Sequence, residues 1–308
     1  MKKGFLLLVA LLGLVSCSDK QQSLRIVCPT NAPSLCFYNY VNNENFITSS
    51  NPQNGIIPMF MKDTYDVIVA PTQGGLNQIV NQHANYQIAA VITFGNFFIV
   101  STGRDEDHTL NAGDKVLIFQ ENDLPGKIFN YVYGDLGLST YAVASLALTK
   151  TVIENNGTLT DETTIEFDYI FTSEPVVTST NSEVFKNVQE DFSKKTNGKM
   201  LTQASIFVKK TSNKNLIDSF LANLENSILI ALENPDVLEI ALSTLGSPEA
   251  QQGKYGVTGK IAKTVTEKNN GFSLGYKSAY SIKNDIQQFV DLFPGLKLGT
   301  LNEEVFYK

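Results

Sequence analysis

The amino-acid sequence predicts an α/β protein, and two observations support this. Four times along the chain, a short run of β-branched and aromatic residues is followed by a polar loop and then by helical spacing. This repetition is typical of strand–helix units around largely parallel sheets. The 308-residue chain is also 43% apolar, which is enough to build the core of one or two compact domains and excludes a disordered chain.

The N-terminus predicts export. Lys2 and Lys3 precede an apolar run over residues 5–15, which is shorter than the roughly 20 residues that span a bilayer and is typical of a signal peptide. The run ends in Leu-Val-Ser-Cys at 14–17, which resembles a bacterial lipobox. We therefore expect a lipoprotein signal peptide over 1–16, lipidation of Cys17 and a polar tether over 17–23. An ordinary signal peptide with a chance cysteine at its end is the alternative.

Four strand–loop–helix units follow, and a helical region ends the chain. The units are a strand at 24–28 with loop 30–34 and a helix through Leu35, Tyr38 and Val41; a strand at 65–70 with loop 71–75 and helix 76–82; a strand at 116–119 with loop 120–123 and helix 124–133; and a strand at 167–171 with loop 172–175 and a short helix. Further helices are expected over 215–232, 235–245 and 281–293, with a loop near 253–260.

The four loops form a candidate ligand site. In open α/β sheets, ligands bind where the carboxyl ends of strands meet helix N-termini. The loops carry Asn, Ser, Thr, Gln, Glu and Gly, which suit a small polar ligand. Helix capping is the alternative for each loop taken singly, because Asp123, Thr172 and Ser173 are good N-cap residues and Pro175 suits a first helical turn.

Composition and motifs argue against several other classes of function. The 24 basic and 31 acidic residues give a net charge of -7, without the basic region of a nucleic-acid binder. The three cysteines form no CxxC pair, so neither a metal site nor a disulfide scaffold is expected. Common hydrolase, zinc-protease and nucleotide-binding motifs are absent, and His83 and His108 lie in polar stretches. We expect no enzyme activity and no cofactor.

Cys28 and Cys36 are the two cysteines that remain after export. Cys28 ends the first predicted strand and Cys36 lies in the helix after it. A disulfide needs Cα atoms within about 7 Å, whereas buried apolar thiols need no such geometry. We therefore expect two free thiols, with a disulfide bridge as the alternative.

Several segments of the chain resemble one family in the same order. They lie at 29–34, 65–72, 92–98, 171–175, 188–195, 203–208 and 306–308. Together with the lipobox, they are similar to solute-binding lipoproteins of ABC importers in the nitrate/sulfonate/taurine/thiamine-precursor superfamily. The resemblance implies a two-lobed type II periplasmic-binding-protein fold, in which two crossover strands act as a hinge.

The resemblance also implies boundaries and site residues. Crossover strands are expected at 93–101 and 203–209, with lobe 1 over 24–97 plus 208–308 and lobe 2 over 98–207. One wall of the ligand site would be formed by Asn31, Ser34, Thr72, Gln73 and Asn96, and the other by Glu121, Asn122, Ser173 and Glu174. Phe97 is expected either to stack on a planar ligand or to belong to the core.

The chemical class of the ligand stays open at this point. Arg104 is the one candidate for a guanidinium clamp on an anion, whereas Glu121, Asp123 and Glu174 favour an amine or a nitrogen heterocycle. A thiamine-precursor-like and a sulfonate- or nitrate-like molecule are therefore both retained. The implied partner is an ABC permease, and the protein is expected to be a monomer held by its lipid on the extracytoplasmic face of the membrane. A surface adhesin or partner-binding lipoprotein on the same scaffold is the alternative function.

Overall fold

The computed structural model describes residues 23–104, 109–143, 145–160 and 164–308. The predicted signal peptide, Cys17, nearly all of the tether and His108 lie outside the described residues. The strands in the described part are β1 Ile26–Pro29, β2 Phe46–Ser49, β3 Val67–Pro71, β4 Tyr86–Thr93, β5 Phe97–Ser101, β6 Lys115–Phe119, β7 Ser139–Val143, β8 Thr158–Thr160, β9 Thr164–Glu166, β10 Tyr169–Ser173, β11 Val184–Asn187, β12 Ala204–Lys209 and β13 Leu274–Ser278.

The helices alternate with the strands as far as β12 and are concentrated in the last third of the chain. They are α1 Ala32–Leu35, α2 Pro52–Gly55, α3 Met59–Lys62, α4 Thr72–Val80, α5 Leu124–Tyr133, α6 Leu146–Glu154, α7 Val176–Ser179, α8 Val188–Lys195, α9 Lys214–Glu233, α10 Asp236–Ser243, α11 Pro248–Tyr255, α12 Gly259–Glu267 and α13 Lys283–Leu292. Within the described residues, no helix is long and apolar enough to cross a membrane.

The first sheet has six strands in the order β13-β4-β12-β3-β1-β2. Strands β1, β2 and β3 are parallel, while β12 runs antiparallel to β3 and to β4. The inner strands β1, β3, β4 and β12 are buried on both faces, as expected of a sheet covered by helices, whereas the edge strands β2 and β13 are partly exposed. One face packs against side chains such as Phe220 of α9 and Leu238 of α10, and the other against Leu76 of α4 and Ile286 of α13.

The second sheet has five strands in the order β11-β5-β10-β6-β7, and β8 and β9 form a separate hairpin-like pair. Its core is rich in aromatic rings. The Phe97 ring is 2% exposed and packs against Phe119 and Phe171, with ring centroids 6.1 and 5.8 Å apart. Phe97 is therefore packed in the core, which is the second of the two roles expected for it.

The chain passes between the two sheets twice. Residues 94–96 connect β4 of the first sheet to β5 of the second, and residues 196–203 lead from α8 back to β12. Helix α13 also joins the two sheets by packing: Ile286 and Val290 lie in the core of the first sheet, whereas Phe289 and Phe293 lie in that of the second. The sheets are thus connected by two backbone segments and one packed helix.

Several predicted elements differ from the structure. The helix expected through Leu35, Tyr38 and Val41 is the short α1 followed by one 3₁₀ turn over Tyr38–Tyr40. Helix α4 begins at Thr72, four residues before the expected start, so the predicted loop 71–75 is mostly helix. Most of loop 253–260 is likewise helical, because α11 ends only at Tyr255 and α12 begins at Gly259.

Cys28 and Cys36 are free thiols, as predicted. Both are buried, and each Sγ points to a backbone carbonyl: Cys28 to Pro29 O at 3.3 Å and Cys36 to Ile92 O at 3.8 Å. Burial raises the pKa of both thiols, so neither ionises near neutral pH.

Candidate functional site

The carboxyl-terminal edges of both sheets meet at the two crossovers. In the first sheet, Ala204 at the start of β12 pairs with Pro71 at the end of β3 and with Thr93 at the end of β4. In the second sheet, Ser173 at the end of β10 pairs with Phe97 at the start of β5. This register brings the residues after β3, β4 and β10 and those before β12 to one place, which we call the junction.

Backbone hydrogen bonds tie the two crossovers together within the junction. The Gln203 N–H donates to Thr93 O at 3.0 Å, and the Thr72 N–H donates to Gln203 O at 3.0 Å. On the side of the second sheet, the Glu174 N–H donates to Asn96 O at 3.2 Å. Elements far apart in the sequence are therefore held in register at the point where the chain changes sheets.

Side chains extend these connections across the junction. Asn96 is 5% exposed, and its Nδ2 donates to the backbone oxygen of Glu174 at 3.2 Å. Its Oδ1 accepts a hydrogen bond from Gln203 Nε2 at 3.0 Å. Asn96 thus links the second sheet to the returning crossover through both ends of its amide.

Four buried polar atoms at the junction have no hydrogen-bond partner. We call them the orphan cluster: Gln73 Nε2, Thr93 Oγ1, Thr202 Oγ1 and Gln203 Oε1. Most buried polar groups in native proteins are paired, and an unpaired one costs about 1–3 kcal/mol. The described residues contain no other buried side-chain nitrogen or oxygen without a partner. The unpaired hydrogen-bonding capacity is therefore concentrated at the junction.

The predicted residues of the first wall fall into two groups. The Ser34 hydroxyl donates to Asn31 O at 2.8 Å and to Tyr255 O at 3.2 Å, and the Thr72 hydroxyl lies 2.7 Å from Ser205 Oγ. These hydroxyls are paired within the part of the chain that surrounds the first sheet. Thr72 lies at the junction together with Gln73 and Asn96. Of these three, Gln73 has an unpaired side-chain atom and Asn96 bonds across to the second sheet.

In the second wall, Glu174 and Ser173 lie at the junction and are both nearly fully buried. The Glu174 carboxylate accepts hydrogen bonds from the Thr178 N–H at 3.0 Å and the Thr178 hydroxyl at 2.8 Å, so it bonds the first turn of α7. Burial raises the pKa of Glu174, although the bonds from Thr178 and the charge of Lys268 oppose the rise. Glu121 is half-buried and Asn122 exposed, in the turn after β6.

Arg104 does not lie at the junction. Strand β5 runs from the junction at Phe97 to the opposite edge of the sheet at Ser101, and Arg104 follows that end. Its guanidinium is paired with Glu166 at 2.9 Å and donates to Asn156 O at 3.0 Å. The structure thus corrects the expectation that Arg104 is the candidate clamp for an anionic ligand.

Thr93, Thr202 and Gln203 were not among the predicted site residues. The sequence contained a partial signal, because Thr93 begins the expected outgoing crossover and Gln203 the returning one. In the described part of the chain, no group of three or more His, Cys, Asp or Glu side chains is placed to hold a metal ion. The junction offers amides, hydroxyls and one carboxylate.

Solved structures with this arrangement of sheets come from several organisms. An ABC transporter protein from Parabacteroides distasonis matches with a TM-score of 0.67 at 15% identity, over 92% of this chain and 99% of that one. The alkanesulfonate-binding protein SsuA from Xanthomonas axonopodis pv. citri, bound to MOPS, matches at 0.55 and 13%, over 91% and 94%. The Candida albicans CA3427 product, described as having the generic periplasmic binding protein fold, matches at 0.52 and 11%, over 92% of each chain.

The chain has the periplasmic binding protein fold. No protein-family model matches the sequence, and no curated protein matches it either. The periplasmic binding protein fold also occurs in an enzyme: the desulfurization enzyme DszB with biphenyl-2-sulfinic acid matches with a TM-score of 0.55 at 10% identity, over 92% of this chain and 95% of that one. At these identities the similarity establishes the fold, and function must be argued from the site.

Proposed function

We propose that this protein is an extracytoplasmic solute-binding lipoprotein of an ABC importer, which captures a small polar or heterocyclic molecule between two lobes. The observation that supports this most is the orphan cluster, because its four atoms belong to segments that meet at the junction and lack the hydrogen-bond partners that a polar ligand offers. The solved relatives include an alkanesulfonate-binding protein, which binds a small molecule on the same fold.

The two lobes of the proposal are residues 24–97 plus 208–308, and residues 98–207. The first contains most of the six-stranded sheet and the second most of the five-stranded sheet, although β12 of the six-stranded sheet begins at Ala204, inside the second range. The ligand would bind at the junction between them. Gly95 in the first crossover has a φ of +104°, a conformation that glycine adopts at little cost. We infer that closure is a hinge motion about the two crossovers.

Lipidation of Cys17 would hold the protein on the extracytoplasmic face of the membrane, beside its permease. The tether over residues 17–23 would separate the folded part from the lipid surface. The protein would work as a monomer, with the closed form presented to the permease. Nucleic acid is not a partner in this proposal, because the chain carries a net charge of -7.

We propose that the bound molecule is released unchanged. A thiol nucleophile would need an ionised cysteine, and burial raises the pKa of both Cys28 and Cys36. His83 is exposed and follows α4, whereas the junction lies at the start of that helix. The junction thus brings neither a thiolate nor this histidine to a ligand.

One observation favours the alternative, a surface adhesin or partner-binding lipoprotein. Glu174, Gln73 and Asn96 are each at most 6% exposed, so the junction is closed in this structure. Two open cavities, of about 400 and 310 Å³, lie elsewhere, around Lys210 and residues 301–308. A protein that used its outer surface alone would keep its junction closed in every state.

Mass spectrometry of small molecules released by denaturing the purified full-length protein tests the proposal. We expect one compound at one equivalent per chain, which rebinds in calorimetry with unchanged mass. Gln73→Ala should weaken its binding by about 1–3 kcal/mol, the cost of leaving a buried polar partner unpaired. Gln251→Ala is the matched control, because the Gln251 amide is already bonded to Gly246 O and the Gly259 N–H.

The control variant should lose stability and keep its affinity for the compound. Release of no small molecule, together with a junction that stays closed to every solute tried, would favour the adhesin. Recovery of a chemically altered compound would favour an enzyme.

A further inference from the structure

The orientation of the Gln203 amide is fixed by a chain of hydrogen bonds. The backbone oxygen of Glu174 can only accept, so the Asn96 atom that faces it at 3.2 Å must be Nδ2. Asn96 therefore turns Oδ1 toward Gln203, and the Gln203 atom that faces it at 3.0 Å must be Nε2. The remaining amide atom, Gln203 Oε1, is buried without a partner. The unpaired atom of the Gln203 amide is therefore its oxygen, which is a hydrogen-bond acceptor. This assignment follows from the hydrogen bonds of Asn96 and not from an arbitrary choice between oxygen and nitrogen.

We infer that the site selects a ligand that donates an N–H to Gln203 Oε1, namely an uncharged or protonated amine, amide or amino-substituted heterocycle. This inference rests on the proposed function and narrows it. It separates the two ligand classes that the sequence left open. A sulfonate or nitrate has only acceptor oxygens, and it would place one of them against the acceptor of Gln203 without forming a bond.

The charges around the junction agree with this selection. Neither arginine of the chain is available to an anion there, because Arg104 lies at the opposite edge of the second sheet and Arg25 precedes β1, at the far end of that strand. The orphan cluster consists of amide and hydroxyl atoms, without a cationic group. Asn96 contacts Glu174 through the backbone oxygen of that residue, whereas the Glu174 carboxyl is bonded to Thr178 and is influenced by the charge of the exposed Lys268. An anion at the junction would therefore have no guanidinium partner and would have to rely on neutral donors such as Gln73 Nε2.

Matched pairs of small compounds test the inference on the full-length protein, freed of bound ligand and held in detergent. The probes are benzamide with N,N-dimethylbenzamide, and aminopyrazine with dimethylaminopyrazine, so that each pair differs by the loss of its N–H donors. Methanesulfonate and nitrate serve as anionic probes. We expect each N–H compound to bind at least about tenfold more tightly than its methylated partner, the ratio expected for one unsatisfied buried acceptor.

Two variants test whether Gln203 and its orientation cause the selectivity. Gln203→Met keeps the size of the side chain and removes its amide, so both members of a pair should bind within about threefold of each other. Asn96→Leu leaves Gln203 in place but removes the bond that orients its amide. The ratio of the affinities for the N–H compound and its methylated partner should therefore fall again. Gln251→Met, whose amide is bonded outside the junction, should keep the wild-type ratio, and thermal unfolding confirms that each variant is folded.

Each outcome separates this inference from the proposed function. Preferred binding of a methylated compound, methanesulfonate or nitrate would overturn the inference and leave solute binding intact. Unchanged selectivity in Gln203→Met would also overturn it. If none of the probes binds, the compound released from the purified protein decides: one without an N–H donor overturns the inference. Release of no compound at all overturns the proposed function as well.

Discussion

Replacing Thr202 by valine should stabilise the ligand-free protein, although most changes to a buried residue do the opposite. The Thr202 side chain is 0% exposed, and its hydroxyl belongs to the orphan cluster. An unpaired buried polar group costs about 1–3 kcal/mol, and a buried methyl group contributes about 0.8 kcal/mol. Valine has nearly the shape of threonine, so no cavity is created. We expect the free energy of unfolding of the empty protein to rise by about 1–3 kcal/mol.

Thr72→Val is the matched control for this prediction. Thr72 is also 0% exposed and lies at the same junction, but its hydroxyl is 2.7 Å from Ser205 Oγ. Its loss leaves the Ser205 hydroxyl unpaired, so the free energy of unfolding should fall by about 1 kcal/mol. Urea unfolding measures the free energy of unfolding of both variants, and equal m-values show that the variants can be compared directly. Equal losses of stability would refute the reasoning, since the Thr202 hydroxyl would then have a partner in the folded protein.

Three further predictions follow from single features of the structure. Glu174→Gln should flatten the pH dependence of stability: burial raises the pKa of Glu174 above its ordinary value of 4.5, so the folded state holds the proton more tightly and stability falls as pH rises through the raised pKa. Urea midpoints measured across that pH range test this prediction. A variant whose midpoint depends on pH as steeply as that of the unaltered protein would contradict it. Gly95→Ala should cost about 1–3 kcal/mol, because φ is +104° and the new Cβ would lie 3.0 Å from a side chain of α8. Gly253→Ala, in α11 with open space around it, should instead be neutral or stabilising in the same unfolding assay. Cys28 and Cys36 should resist alkylation until the protein unfolds, because burial raises the pKa of both thiols; an intact mass lower by two hydrogens than that of the reduced protein would contradict free thiols.

The elements with a complete local signal could be predicted from the sequence. Helix α5 has the predicted bounds, because the turn residue Asp123 precedes it and its apolar spacing is continuous. The start of α4 was missed because Gly74 and Gly75 are typical of a loop. Gly75 is needed for packing instead: a Cβ at this position would lie 2.2 Å from the ring of Phe207 on β12. The sequence near α4 contains no sign of that distant ring, so the reason for the glycine becomes visible only in the fold.

The predicted site residues overlap the junction only in part, and three of the four residues of the orphan cluster were not among them. The carboxyl-end rule directed attention to the loops after β3 and β10, which lie at the junction. Thr93 and Gln203 lie in segments with the residue pattern of a strand. A polar residue in such a segment gives no indication that its side chain belongs to a ligand site. Whether such a side chain has a partner depends on strands that are far apart in the sequence, as Ala204 and Thr93 are. An unpaired atom is a property of the packed junction and has no local sequence signature.

The orphan cluster also offers a physical reason why an empty binding protein of this design would stay open. In an open form water reaches the four atoms and satisfies them, whereas in the closed form they are buried and unpaired. Closure without ligand therefore costs about 1–3 kcal/mol for each atom that stays dry. A ligand that pairs with them removes this cost only in the closed form, and such differential binding is what shifts a conformational equilibrium. The same atoms that select the ligand would thus couple its presence to closure, and a partner that contacts both lobes could distinguish a loaded protein from an empty one.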